Sequence, residues 1–167
     1  AYTAPGNHSI VACIASISRG TVAVPLGSVE GIRNMIQALT CSNEAVVDVA
    51  LDTLYRYSKG DFDSLSWAKI VAMGGCSAVV QLVEKSLEMV NQTIPLRSQL
   101  NDLCLRVATG RLSKAFIIIS NMTHGYPRSI IDINWIGGVE VLVKVMKKFP
   151  KHQPWLLLRA CNALCNL

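Results

Sequence analysis

Large apolar side chains recur at helical spacing after three glycines, Gly27, Gly74 and Gly137. The apolar positions that follow each glycine return at i, i+3 and i+4, which is the stripe of a helix packed on one side. Since glycine tolerates the left-handed backbone that ends many helices, each glycine predicts a sharp turn out of a short preceding helix. The stripes are Ile32, Met35 and Ile36; Val79, Leu82 and Val83; and Leu142, Val145 and Met146. The short helices are predicted at 22–26, 67–73 and 130–136.

A second helical motif follows each of these stripes and opens on a small residue: Ala50, Ala115 or Ala160. Large apolar residues come four and seven positions after each alanine. A small residue at a helix crossing lets two helix axes approach closely, so its recurrence predicts stacked helices. The large positions are Leu54 and Tyr57, Ile119 and Met122, and Leu164 and Leu167.

Together the two motifs predict three-helix repeats at 21–59, 65–125 and 129–167, after a partial repeat at 8–20. The middle repeat is longer than the others. We expect its second helix to run to about Val90, followed by a turn and an inserted helix at 97–108 that ends before Gly110. Pro154 suits the first position of the last helix. Because the chain begins without Met and stops within an apolar helical pattern, we expect a segment of a longer protein.

A short helix ending in Gly-Gly, then Val-x-Val-Leu-Val-x-Val-Met, then Ala-x-x-Ala-Leu-x-Asn-Leu, resembles the armadillo repeat. The match is closest at 130–167, extends to 27–58 and is interrupted at 67–123. HEAT repeats, with two helices per unit, are the near alternative, but the glycine doublets favour armadillo. The resemblance implies an all-α, right-handed superhelix of about three repeats plus a partial N-terminal one. It also implies that the third helices line a concave groove.

The resemblance further implies that an asparagine near the end of each third helix points into this groove and holds the backbone of a bound peptide. That position is Asn121 and Asn166 here, but Arg56 in the earlier repeat. An amide suits the role because it carries both a donor and an acceptor. The alternative is that these asparagines cap or bridge adjacent repeats. Helical spacing places further residues on the same face: Val49 and Asp52, Lys114 and Ile117, and Arg159 and Asn162. Trp155 is a further candidate, either at the end of the groove or packed on the second helix.

Composition bounds the class of protein. Half of the residues (51%) are hydrophobic and 16% are charged, which predicts apolar surface buried along the whole length. No apolar run approaches the roughly 20 residues of a membrane span, so we expect none. The six cysteines form no CxxC pair and lie in or beside apolar helical stretches. We therefore expect small buried thiols in a reducing compartment, the cytoplasm or nucleus.

Motifs that carry chemistry are missing from the sequence. There is no P-loop, GxGxxG, HExxH or GxSxG, and the three histidines have no metal-ligand spacing. Cys161 and Cys165 lie one turn apart but lack two further ligands for zinc. Cys76 lies at a helix start, where the helix dipole lowers a thiol pKa, but no histidine accompanies it. We expect no enzyme activity, metal, cofactor or small-molecule substrate.

Two further features bear on partners. Lys144, Lys147, Lys148 and Lys151 share one helical face, and the net charge is +5. We interpret this face as solvated, with an acidic protein or a phosphate backbone as the alternatives; nucleic acid ranks last because aromatic residues are few. Trp135 is predicted in the core, and Trp67 beneath the insertion.

The sequence therefore predicts a protein–protein interaction scaffold that binds a protein or peptide in the groove of third helices. The alternative is a structural role, with self-association through the open ends of the solenoid, since such ends are apolar unless capped. A basic solenoid that binds nucleic acid ranks below both.

Overall fold

The computed structural model describes residues 28–60, 64–93, 99–149 and 153–167, and in these residues every secondary-structure element is an α-helix. The predicted partial repeat at 8–20, the short helix at 22–26, and Lys151 lie outside the described residues. The all-α prediction is confirmed. The helices are α1 Val29–Leu39, α2 Glu44–Ser58, α3 Ser64–Ala72, α4 Gly75–Thr93, α5 Gln99–Gly125, α6 Arg128–Trp135, α7 Gly138–Lys148 and α8 Pro154–Cys165.

Local signals set several helix starts. The Ser28 hydroxyl accepts a hydrogen bond from the Gly31 backbone N–H at 3.1 Å and caps α1. The Asn43 carboxamide oxygen accepts from Ala45 and Val46 and caps α2. Helix α8 begins at Pro154, as predicted, because proline fixes a helical φ and lacks only an N–H that would be unpaired there.

In each of the two described glycine doublets, the first and the second glycine have different structural roles. Gly74 and Gly137 adopt left-handed backbone, with φ of +85° and +77°, and turn the chain between helices. Gly75 and Gly138 are close to the preceding short helix: a Cβ on Gly138 would lie 2.9 Å from the Ile133 carbonyl oxygen. The predicted glycine turns are therefore confirmed at both doublets.

The helices pack in two rows. In the third-helix row, α5 contacts α2 on one side and α8 on the other. In the second-helix row, α4 likewise contacts α1 and α7. The pairs α1–α2, α4–α5 and α7–α8 pack across the rows. The short helix α3 contacts α1, α4 and α5, and the short helix α6 contacts α4, α5 and α7. This arrangement confirms the helical, repeat-like organisation of the described residues.

The core lies between the two rows. Ala50, Ala115 and Ala160 are fully buried, as expected for small residues at helix crossings. All the predicted stripe residues of the second helices are buried except Met146, which is partly buried against the same core. The largest fully buried side chains include Phe116, Leu51 and Ile118.

The predicted inserted helix is wrong as a separate element. Residues 99–108 are helical, but α5 continues through Gly110 to Gly125 without a break. A glycine inside a helix costs only about 1 kcal/mol relative to alanine. Ala108 and Leu112 on either side are fully buried, and their packing outweighs that cost. Helix α4 ends at Thr93, close to the predicted Val90.

The prediction for Trp135 is also wrong, because its side chain is 90% exposed. Ile133, two residues earlier, is fully buried and lies against Gly138. Side chains two residues apart point to nearly opposite sides of a helix, so Trp135 faces outwards. Trp67 is buried and lies against Gly125 at the end of α5; its position beneath the insertion stays a prediction.

Of the five described cysteines, Cys76 is buried, Cys165 is exposed and the others are intermediate. The prediction of buried thiols is thus correct for Cys76 alone among them, while Cys13 lies outside the described residues. No single described helix is long and apolar enough to cross a membrane. The pair α3 and α4 passes that test of length and composition only when taken together, with a bend of 70° between its halves.

Candidate binding surface on the third-helix row

Two hollows lie on the exposed surface of the third-helix row, one at each junction between consecutive helices. The α2–α5 hollow has a volume of about 440 Å³, and the α5–α8 hollow one of about 200 Å³. The first is lined by Val49, Asp52, Tyr55, Arg56 and Lys114. The second is lined by Phe116, Ile117, Ser120, Asn121, Arg159 and Asn162. Every sequence-predicted groove residue except Asn166 and Trp155 lines one of these hollows.

Helical periodicity explains why α2 presents these side chains. Ala50, Leu51 and Leu54 are fully buried and hold one face of α2 in the core. Asp52 and Arg56, one turn apart, are exposed on the other face. Apart from the fully buried Phe116, the residues that α5 and α8 contribute to the hollows are polar or partly buried.

The α2–α5 hollow carries a net positive charge. The Lys114 ammonium pairs with the Asp52 carboxylate across the junction between the two helices. Both side chains remain substantially exposed, so the pair stabilises the junction by no more than about 1 kcal/mol. Arg56 adds a second cation that forms no ion pair within the described residues.

The α5–α8 hollow combines one cation with amides and an apolar wall. The Arg159 guanidinium donates to the Ser113 hydroxyl and lies 5.8 Å from the centre of the Trp155 ring, a cation–π contact. Trp155 is 44% exposed; it contacts Arg159, which lines this hollow, but does not itself line it. None of the lining residues is acidic, so the hollow is suited to groups that accept hydrogen bonds.

The two predicted asparagines join neighbouring helices of the row. The Asn121 amide nitrogen donates to the Ser58 carbonyl oxygen at 2.9 Å and to its hydroxyl at 3.3 Å. The Asn166 amide nitrogen donates to Ser120 in the same way, at 3.3 and 2.8 Å. Both nitrogens therefore act as bridges between units, the alternative interpretation of the sequence. Only Asn121 also lines a hollow.

Sequence reasoning missed Arg111, whose side chain is only 3% exposed. Its Nε donates to the Asp48 carboxylate at 2.6 Å, and its terminal nitrogens bond the Glu44 carboxylate and carbonyl oxygen. It thereby fastens the start of α2 to α5. The signal was available in the pattern: Arg111 falls on the stripe formed by Ala108, Leu112 and Ala115, so a buried cation there required acidic partners.

The charges at this junction shift two pKa values. The hydrogen bond from Arg111 to Asp48 is the main cause that raises the pKa of Arg111, against the opposing effect of burial. Burial alone would raise the pKa of Glu44, but hydrogen bonding and attraction to Arg111, helped by Lys85 at 3.5 Å, together lower it. Arg111 thus stays charged and Glu44 holds its charge to lower pH than usual.

The one cysteine singled out for reactivity is inert at neutral pH. Burial, with a smaller effect from the negative charge of Asp132, raises the pKa of Cys76 to about 12, the opposite of the lowering that a helix start favours. A thiol of that pKa stays protonated and is a poor nucleophile. Among the described residues, no group of three or more histidine, cysteine or acidic side chains lies in position to hold a metal ion.

Comparison of the chain with models of protein families, with curated proteins and with solved structures finds no match. The class of protein that the geometry itself defines is an all-α protein of repeating helical units. Two of its hollows, both lined by polar and charged side chains, lie at consecutive junctions along one row of helices.

Proposed function

We propose that this chain is an armadillo-like, right-handed solenoid that binds a partner protein along its third-helix row and carries out no catalysis. The three-helix order, the glycine doublets before α4 and α7, and the two rows of consecutive contacts support this architecture. The partner binds as an extended segment that crosses the third helices of successive units, since repeat proteins use one long surface for binding.

The observation that carries the proposal is the alignment of the two hollows. They occur at consecutive junctions, α2–α5 and α5–α8, on one row of helices. An extended chain that crosses both junctions places alternate side chains in successive hollows while its backbone meets the polar groups between them. The α5–α8 hollow, at about 200 Å³, is smaller than the roughly 300–1,000 Å³ of sites for drug-sized molecules, so a peptide that spans both hollows is the better occupant.

The charges of the hollows indicate the chemistry of the partner. Arg56 and Arg159 supply cations, whereas the only acidic lining residue, Asp52, already pairs with Lys114. A segment with acidic side chains meets complementary charge at both positions. Arginine in particular binds carboxylates through two parallel hydrogen bonds.

Selection from a phage-displayed library of linear peptides tests the proposal. Enriched peptides are measured by fluorescence polarisation against the wild-type chain and the variant Arg56→Ala/Asn162→Ala, which alters one exposed residue in each hollow. The matched control is Arg33→Ala/Asn134→Ala, which makes the same exchanges at exposed positions of α1 and α6. We expect at least about a tenfold loss of affinity in the hollow variant and none in the control. Equal affinity for both variants, or no enriched peptide, would contradict the proposal.

Self-association is the second candidate, because apolar side chains are exposed on the last unit. Ile131, Trp135 and Leu158 are 68%, 90% and 62% exposed, and such residues mark contact surfaces when they cluster. Sedimentation velocity over a range of concentrations separates this candidate from the first. Self-association through these residues predicts a mass that rises with concentration in the wild type and not in Trp135→Ser/Leu158→Ser.

A further inference from the structure

A third hollow lies on the second-helix row, away from the proposed peptide surface. It has a volume of about 330 Å³ and lies between α4 and α7. Its lining consists of Leu87 and Asn91 from α4 and Lys144, Lys147 and Lys148 from α7. All three lysines are exposed, so their ammonium groups are open to a ligand from solution.

The charge of these three lysines is not compensated within the described part of the chain. Four ion pairs occur there, and they involve Lys85, Arg111 and Lys114 but none of the lysines of this hollow. The acidic residues on the two helices that form it are Glu84, Glu88 and Glu140, and none comes within ion-pair distance of these lysines. Three like charges around one hollow repel each other and favour a bound anion.

The repeat does not require lysine at these positions. Aligned on the glycines, the corresponding residues of α4 are Gln81, Glu84 and Lys85, and those of α1 are Asn34, Gln37 and Ala38. Cations in the last turn of a helix stabilise its negative end, which accounts for Lys147 and Lys148. It does not account for Lys144, which lies one turn earlier and faces the same hollow.

We propose that the hollow between α4 and α7 binds a compact anion that carries two or more phosphate groups. Lysine binds phosphate as a mobile point charge and does not need the planar, paired geometry that favours arginine for carboxylates. The Asn91 amide adds a neutral donor, and Leu87 offers an apolar wall for the carbon skeleton of the ligand. The lining holds no aromatic side chain on which nucleic-acid bases could stack.

Isothermal titration calorimetry with sodium tripolyphosphate at low ionic strength tests this site. The hollow variant is Lys144→Gln/Lys147→Gln/Lys148→Gln. The control is Arg33→Gln/Arg106→Gln/Arg128→Gln, which removes three positive charges from exposed positions on α1, α5 and α6. We expect the hollow variant to lose at least about tenfold in affinity and the control to stay within about twofold, with binding that weakens steeply as salt is raised.

Two sources can supply such a ligand, and co-sedimentation with vesicles distinguishes them. Binding to phosphatidylcholine vesicles that contain phosphatidylinositol bisphosphate, but not to phosphatidylcholine alone, indicates a lipid headgroup. Binding to tripolyphosphate without binding to either vesicle indicates a free phosphate compound. An equal loss in both charge variants means a response to net charge alone and overturns the proposal. So does a wild-type chain that binds neither probe. Circular dichroism confirms that both variants remain folded.

Discussion

The amide nitrogen of Asn166 donates hydrogen bonds to both the carbonyl oxygen and the hydroxyl of Ser120, at 3.3 and 2.8 Å. Asn121 makes the same paired contact with Ser58 on the preceding helix. When the motifs are aligned on Ala50 and Ala115, Ser58 lies three residues further along its helix than Ser120 does. Three residues are about one helical turn, so the two junctions of the third-helix row have different registers.

The contacts of two cations across the same junctions show a similar offset. Lys114 and Arg159 hold equivalent motif positions, directly before Ala115 and Ala160. Lys114 reaches Asp52 on α2, whereas Arg159 reaches Ser113 on α5. Asp52 is again about one turn further along its motif than Ser113. The register between neighbouring helices of the third-helix row therefore differs from one junction to the next.

These bridges predict a stability role for the asparagines. Asn166→Ala and Asn121→Ala should each lower the free energy of unfolding by about 1 kcal/mol, because each removes hydrogen bonds between helices and leaves a partly buried acceptor unpaired. Asn162→Ala, at an exposed position one turn before Asn166, should change it by less than about 0.5 kcal/mol. Urea denaturation followed by circular dichroism measures all three. Equal stabilities for the three variants would exclude the bridging role.

Acid should weaken the junction between α2 and α5 through Glu44. Its pKa is lowered in the folded chain by Arg111, so the contribution to stability is complete above the ordinary carboxyl pKa and is lost as pH falls through the folded value. The Tm advantage of wild type over Glu44→Gln should therefore shrink in acid. At neutral pH, the difference in free energy of unfolding between wild type and Glu44→Gln should be less than about 1 kcal/mol, since the Glu44 carboxylate is half exposed.

A matched control for this pH effect is Glu30→Gln, at an exposed acidic position in the first turn of α1. Thermal melts across the acid range compare the three chains. If the difference between wild type and Glu44→Gln stays constant with pH, or if Glu30→Gln shows the same convergence, the ion pair with Arg111 does not control the acid response.

Replacing Gly110 and Gly138 by alanine should change the stability of the chain in opposite directions. Gly110→Ala should stabilise the chain by about 0.5–1 kcal/mol, because Gly110 lies inside α5 and a Cβ there meets no atom within 4 Å. Gly138→Ala should destabilise it by about 1–3 kcal/mol, because its Cβ would overlap the Ile133 carbonyl oxygen. Chemical denaturation gives both values. A loss of stability in Gly110→Ala would indicate that α5 is not continuous at that residue.

Replacing Trp67 and replacing Trp135 by alanine should differ strongly in their cost to stability. Trp67 is 2% exposed and packs on Gly125, so Trp67→Ala should cost about 3–5 kcal/mol. Trp135, at 90% exposure, should be replaceable by alanine within about 0.5 kcal/mol. Fluorescence-detected unfolding of the two variants measures this difference. Similar costs for the two substitutions would show that Trp135 is buried in solution, by another part of the chain or a second copy.

The sequence predicted the elements well where one periodicity acted alone. The stripes after Gly74 and Gly137 and the small residues at Ala115 and Ala160 marked helices that the structure contains. The sequence-based prediction failed where two local signals indicated different structures. Gly110 suggested a helix end, but buried neighbours keep α5 continuous. Trp135 suggested core, but Ile133 occupies that direction of α6.

The candidate site was predictable as a face but not as a set of contacts. Helical spacing alone grouped Asp52 with Arg56, and Arg159 with Asn162. The bridge from Asn121 to Ser58 and the link from Arg111 to Asp48 each join residues 63 positions apart. Such pairings depend on the register between helices, which local periodicity does not determine.

NMR can show whether a peptide binds along the third-helix row. Amide chemical shifts of the isotopically labelled chain are followed while a library-selected peptide is added. We expect the perturbed amides to cluster on α2, α5 and α8 around Asp52, Ile117 and Asn162. Perturbations confined to α1, α4 and α7, on the second-helix row, would contradict it.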